Sequence, residues 1–155
     1  MWKKPGNKPA RLLYYVNLVT AAVIMMTWSN YSVPPTTLDN FQHIIFSISY
    51  SLAPALFVHF TLSFPREKKI PATIILLLYS SAIITSLFAS IFFIKATYST
   101  SVVDIKNYLT VFNLSRFYMA VCIISGLIIF IHSYITARDL SEKIKLRCFA
   151  YFRGQ

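Results

Sequence analysis

The histidines are the side chains of this sequence best suited to bind a metal or to move a proton. His59 and His132 each precede the end of an apolar stretch by about five residues, so helices would place both imidazoles at a similar depth. Such a pair could bind a metal or haem, or sense protons. Alternatively, each imidazole hydrogen-bonds to a neighbouring helix or to interfacial water. Because no further ligand accompanies the pair, we predict no catalytic residue, cofactor or metal site.

Two prolines flank His59. Pro54 lies inside an apolar stretch and should kink a helix, because its ring removes one backbone hydrogen bond. The kink could serve as a hinge for signal transmission, or as a packing feature whose freed carbonyl is satisfied by neighbours. Pro65 ends the same stretch, directly before a basic run. The candidate sensory or hinge residues are therefore Pro54, His59, Pro65 and His132.

Charged residues are absent from the apolar stretches. Proton-coupled transporters and intramembrane hydrolases usually need an ionisable group inside the membrane. A membrane enzyme would have to use His59, His132 and Cys122, and no sequence motif unites them, so we expect no enzyme. Arg116, placed by hydropathy at the head of a helix, could meet an anionic ligand outside the membrane or snorkel to phosphate headgroups.

The elements that must position these residues are four apolar stretches, at residues 12–29, 41–64, 70–94 and 117–137. Each is long enough, at about 1.5 Å per residue, to cross a hydrocarbon layer of about 30 Å. Backbone groups in lipid must be satisfied within their own segment, so these stretches should be helices. The sequence predicts an all-α integral membrane helical bundle with about four transmembrane helices, filling residues 12–137. Its longest loop is predicted at residues 95–116.

Basic residues predict the orientation of the bundle. If the N-terminus is cytoplasmic, twelve of the fifteen lysines and arginines lie on the cytoplasmic side. Both ends are then cytoplasmic: residues 1–11 form a basic, non-helical lead and residues 138–155 a basic tail. The last apolar residues of that tail predict either the start of a truncated further helix or an interfacial segment. The net charge of +10 thus sets topology, and the expected partner is the lipid bilayer, with no nucleic acid.

Residues 51–66 read SLAPALFVHFTLSFPR. This stretch resembles the pattern L-x-P-x-L-F-x-H-F-x-L-x-F-P of the multi-span N-terminal membrane domains of bacterial sensor histidine kinases and related signalling proteins. Lys68, Lys69 and Tyr79 fit its continuation. Residues 137–149 resemble the charged segment that leads into a further membrane helix in that family. Cys148 stands where an aromatic residue is usual, and Gly154 falls later than the usual glycine. The resemblance covers most of residues 41–150.

The resemblance implies a multi-pass protein of the bacterial cytoplasmic (inner) membrane that serves as the sensory or anchoring module of a two-component signal-transduction protein. In full-length relatives, further helices, a dimerisation domain with a phosphorylatable histidine and an ATP-binding domain follow. We therefore expect a chain truncated before the catalytic domains and non-catalytic in itself. Its partner would be a second copy, forming a homodimer, or a downstream kinase output domain. The alternative is a small four-helix transporter or efflux subunit.

Overall fold

The structure is a computed structural model that describes residues 8–27, 36–64, 70–99 and 101–136. These segments form four α-helices: α1 (Lys8–Thr27), α2 (Thr37–Ser63), α3 (Ala72–Tyr98) and α4 (Val102–Thr136). The described segments contain no strand, and all four helices are long and apolar enough to cross a membrane. The predicted all-α bundle of four membrane helices is confirmed.

Helix α2 is the centre of the bundle. It packs against α1, α3 and α4, and α3 and α4 also pack against each other. Half of the apolar part of α2 is buried, compared with 17% in α3 and in α4. Small buried residues such as Ser47, Ser51 and Ala55 let the neighbouring backbones approach closely. Any displacement of α2 therefore changes its packing against every other helix.

We call the end of the bundle that holds the α3–α4 turn the outer end, and the opposite end the inner end, following the predicted orientation. At the outer end, Thr36 and Asp39 form a reciprocal capping box at the start of α2. The α3–α4 turn is closed by an ion pair between Lys95 Nζ and Asp104 Oδ1 at 2.9 Å. Ser99 Oγ donates a hydrogen bond to the other carboxylate oxygen of Asp104 at 2.6 Å. Asn40 Nδ2 of α2 donates a hydrogen bond to the Tyr98 hydroxyl at 2.6 Å, so α2 is also joined to the end of α3.

Small side chains line the buried seam of α4. Ser115, Cys122, Gly126 and Ser133 are its buried residues, and their spacing of seven, four and seven keeps them on one side of the helix. At Gly126 the Phe57 ring of α2 comes so close that an added Cβ would lie 2.6 Å from its Cε1. The seam is thus shaped to admit a large side chain from the central helix.

The predicted loop at residues 95–116 is wrong. Helix α3 continues to Tyr98 and α4 begins at Val102, so most of that segment is helical. Hydropathy marks where a helix lies in hydrocarbon, and a helix can extend beyond that region. Residues 95–116 contain neither proline nor glycine, so nothing in them breaks a helix. Asp104 lies in the first turn of α4, where its negative charge is attracted by the positive end of the helix dipole and stabilises the helix.

The boundaries of α1 and α2 also differ from the prediction. Helix α1 begins at Lys8, inside the lead predicted to be non-helical. Pro9 lies in its first turn, where a backbone N–H has no acceptor within the helix, so the proline removes no helical hydrogen bond. Helix α2 begins at Thr37 rather than residue 41, because the capping box satisfies its first backbone amides. The predicted tail at residues 138–155 lies outside the described residues.

Candidate functional site

His59 lies near the inner end of α2 and is 9% exposed. Its Nδ1 shares a hydrogen bond with Tyr79 Oη of α3 at 2.9 Å, and the two rings meet edge to face. Its Nε2 is buried and has no hydrogen-bond partner among the described residues. The ammonium group of Lys8, at the start of α1, acts on the imidazole electrostatically. His59 therefore joins α2 to α3 next to the inner basic end of α1.

The structure does not join His59 to His132. The His132 side chain is exposed on α4, whereas the His59 side chain is buried against Tyr79. Over the described ranges, no three His, Cys, Asp or Glu side chains are grouped closely enough to hold a metal ion. The shared depth predicted for the two imidazoles does not bring them into one site.

Pro54 is buried inside α2, and the helix continues across it from Thr37 to Ser63. Proline lacks the backbone N–H that would bond the carbonyl four residues earlier, so the Tyr50 carbonyl loses its helical donor. The interruption lies between His59 near the inner end and Tyr50 in the middle of the helix. Pro65, the other candidate hinge residue, lies outside the described residues.

A second polar position of α2 lies near its outer end. His43 is 4% exposed, and its ring stacks on Phe93 of α3 with centroids 3.4 Å apart. Tyr108 of α4 meets both rings edge to face. The buried Nε2 of His43 has no hydrogen-bond partner. Three helices therefore converge on this imidazole.

Aromatic rings continue from His43 toward the middle of the bundle. Tyr108 stacks on Phe112, Phe112 stacks on Tyr50, and Phe46 lies against both Tyr50 and His43. We call these six residues the outer aromatic cluster: His43, Phe46, Tyr50, Phe93, Tyr108 and Phe112. The cluster joins α2, α3 and α4 and ends at a cationic residue.

That residue is Arg116. Its guanidinium carbon lies 4.6 Å from the centroid of the Phe112 ring, and its charge acts on the nearby Tyr50 hydroxyl. Within the parts of the chain that the structure describes, no carboxylate pairs with Arg116. The two described carboxylates are engaged elsewhere, Asp39 with Thr36 and Asp104 with Lys95. The guanidinium is held by an aromatic face and a hydroxyl rather than by an opposite charge.

Arg116 lies deeper than the sequence suggested. It is fourteen residues into α4, which is about 21 Å along the axis, rather than at the head of the helix. Its neighbour Tyr50 is the middle residue of α2, thirteen residues from either end. Nine residues, or about 14 Å, separate Tyr50 from Phe41, the first residue of the charge-free stretch that runs to Phe64. The fourth membrane helix thus contains an ionisable residue level with the apolar part of α2.

A signal for this site was present in the sequence. Tyr108, Phe112 and Arg116 recur every four residues, and His43, Phe46 and Tyr50 are spaced three and four residues apart, both of which are helical spacings. The assignment of residues 95–116 to a loop hid the first pattern. Neither pattern reveals which residues of α4 face which residues of α2.

The fold and these contacts define a multi-pass, all-α membrane protein with four helices. No protein-family model, no curated protein and no solved structure matches the chain.

Proposed function

We propose that this chain is a membrane-embedded sensory or anchoring module of a bacterial signal-transduction protein of the histidine-kinase kind, without catalysis of its own. The observation that carries the proposal is the architecture of α2, which contacts every other helix and is interrupted by Pro54 between two buried imidazoles. The module would lie in the cytoplasmic membrane of a bacterium. Its partner would be a second copy or a kinase output domain.

A central, interrupted helix is suited to relaying a displacement. The stacked ring of His43 ties the outer half of α2 to α3 and α4, and the Tyr79 hydrogen bond of His59 ties the inner half to α3. The backbone ladder between the two halves lacks one bond at Pro54. A shift of one half relative to the other would alter helix packing at the inner end, which is how packed helices commonly switch.

The residues that could serve catalysis have separate surroundings. His59 bonds to Tyr79, and Cys122 lies near the Tyr118 hydroxyl, which is hydrogen-bonded to the Leu78 carbonyl. His132 is exposed on another side of α4. A nucleophile, a base and an orienting group would have to be in mutual contact. This separation supports a relay function over an enzymatic one.

A fusion protein tests the relay. The dimerisation and ATP-binding domains of a histidine kinase are joined after Gln155 of the full chain, and autophosphorylation is measured in membranes. Pro54→Ala restores the missing backbone donor and should change the activity by about fivefold or more, as expected for coupled sites. His59→Phe removes the tie to Tyr79 and should also change it. The matched control is Leu87→Ala, which alters an exposed apolar side chain of α3.

The proposal fails if the fusion is active and neither variant differs from the Leu87→Ala control at equal protein level. Gene order gives a second, independent test. A reading frame directly downstream that encodes a kinase ATP-binding domain would support the proposal. The same intact gene standing alone in many unrelated genomic settings would contradict it.

The alternative, a small four-helix transporter or efflux subunit, is favoured by Arg116. Sequence hydropathy left the spans without a lysine, arginine, aspartate or glutamate, whereas Arg116 lies beside the middle of α2. Intramembrane charges often mark substrate pathways. Arginine does not release its proton, however, so proton coupling would need a further group. Uptake or efflux by vesicles containing the purified chain, above that of empty vesicles, would establish transport.

A further inference from the structure

Arg116 has more hydrogen-bond donors than its surroundings can satisfy. A guanidinium presents five N–H donors around its edge. The Phe112 ring covers one face of the guanidinium, and the Tyr50 hydroxyl lies near only some of its N–H groups. Within the described ranges no carboxylate lies against it, since Asp39 and Asp104 bond Thr36 and Lys95. A charge at this depth is unfavourable unless an anion or water reaches it.

The side chain is directed toward an accessible surface. Helical side chains lean toward the N-terminus of their helix, which for α4 is the outer end, and the contact with Phe112, four residues earlier, shows this direction. Arg116 itself is exposed. On the same side of α4, Ala120 and Ile123 lie one and two turns toward the inner end and are exposed, so apolar surface continues from the guanidinium toward the middle of the membrane. A ligand that fits this setting has an anionic head and an apolar body.

We propose that Arg116, held in place by Phe112 and Tyr50, binds the oxyanionic headgroup of one amphiphile between α2 and α4 in the outer half of the membrane. The headgroup oxygens accept hydrogen bonds from the N–H groups of the guanidinium that have no protein partner among the described residues. The acyl chain lies along the exposed apolar side of α4 next to Ala120 and Ile123. The planar fork of arginine matches two oxygens of a phosphate or carboxylate, which a lysine cannot do.

The amphiphile can come from two sources with this same chemistry. A phospholipid of the bilayer carries an anionic phosphate, and a single-chain alkyl phosphate or fatty acid could enter from outside. Binding to Arg116 is independent of the signalling function proposed above, because it is measured directly and needs no output domain.

The experiment uses the full chain in lipid nanodiscs with two arms. In the first arm, discs contain phosphatidylcholine and phosphatidylglycerol. The protein is released from the discs in the mass spectrometer, and native mass spectrometry records which lipid stays bound to it. In the second arm, discs contain phosphatidylcholine alone, and dodecyl phosphate is titrated while tryptophan and tyrosine fluorescence is followed. Inorganic phosphate is titrated in parallel as the head without the chain.

The matched variants remove one positive charge each from α4. Arg116→Gln should weaken binding by about tenfold or more, the usual loss for a charged hydrogen bond. Lys106→Gln removes an exposed charge from the same helix, away from the aromatic cluster, and should leave binding unchanged. Arg116→Lys keeps the positive charge but cannot bind two oxygens at once, so it should also weaken binding. This variant takes the place of Arg116→Gln if the glutamine variant is not monodisperse.

Retention of phosphatidylglycerol that is lost with Arg116→Gln alone supports the site with a bilayer lipid as its source. Saturable binding of dodecyl phosphate with the same variant dependence supports the site with a single-chain ligand. The proposal is overturned if neither probe binds the unaltered chain, or if Arg116→Gln and Lys106→Gln behave alike. It is also overturned if inorganic phosphate binds as tightly as dodecyl phosphate, because the apolar body would then contribute nothing.

Discussion

The contact between Gly126 and Phe57 makes the packing of α4 on α2 directly testable. In Gly126→Ala, the new Cβ would lie 2.6 Å from Cε1 and 2.7 Å from Cδ1 of the Phe57 ring. Carbon atoms in contact normally lie about 3.5–4.0 Å apart, so the ring or the helix has to move by roughly 1 Å. Both atoms belong to one rigid ring, so they have to move together, by rotation of the whole ring or by a shift of the backbone.

The magnitude follows from two opposing effects. Overpacking of a well-packed contact costs about 1–3 kcal/mol. Replacing a helical glycine by alanine gains about 0.5–1 kcal/mol, because the unfolded chain loses freedom. We therefore expect Gly126→Ala to lower the free energy of unfolding by about 0.5–2 kcal/mol. Without the steric contact, the same substitution would stabilise the protein.

The assay is reversible unfolding in mixed detergent micelles, followed by circular dichroism, with a double-mutant cycle. Phe57→Ala removes both close ring atoms, so Gly126→Ala should be neutral or stabilising in that background, with a coupling energy of at least about 0.5 kcal/mol. Ala120→Val adds bulk to an exposed position of α4 and serves as the control. A more stable Gly126→Ala, or a coupling energy near zero, would refute the packing described for α4.

Three further predictions concern other contacts. Tyr79→Phe removes the hydrogen-bond partner of the buried His59 Nδ1 and should reduce the free energy of unfolding by about 1–3 kcal/mol. The same unfolding assay measures this loss, and an unchanged stability would exclude the hydrogen bond between Tyr79 and His59. Lys95→Gln removes the partner of Asp104, but because the lysine is largely exposed the free energy of unfolding should change little. A clear loss of stability would mean that the turn is more buried than described. Labelling of single cysteines with a membrane-impermeant thiol reagent, in a chain without its native cysteines, tests the orientation. Cysteines at the outer positions Thr37 and Lys106 should react in intact cells, and those at the inner positions Glu67 and Glu142 only after lysis. The reverse pattern would show that the predicted topology is inverted.

The membrane class and the number of helices could be predicted because they depend on composition along the chain. Residues 41–64 and 70–94 are charge-free and longer than the hydrocarbon layer requires, and α2 and α3 cover most of both. The extent of α4 could not be read in the same way. Asp104, Lys106 and Arg116 interrupt its apolar pattern, while the hydrogen bonds of its backbone continue without regard to hydropathy.

The contacts between helices depend on rotation and level, which hydropathy does not encode here. Helix α3 is apolar on all sides, and in lipid an apolar face is equally stable against lipid or protein. Nothing in its sequence pattern therefore selects Tyr79 as the residue that meets His59. The pairing of Tyr50 with Arg116 is set in turn by the short α3–α4 turn, which fixes the level of α4, and by the small residues that admit Phe57.

The two unusual features of α2 meet at one residue. Pro54 leaves the backbone carbonyl of Tyr50 without its helical donor, and the charge of Arg116 acts on the hydroxyl of the same residue. An anion that draws the guanidinium toward the outer surface would weaken this contact at the point where the backbone of α2 is already interrupted. Such a ligand moves α2 only if it binds the displaced bundle more tightly than the original one. A site at Arg116 and a relay through α2 are thus separate proposals, joined physically through Tyr50.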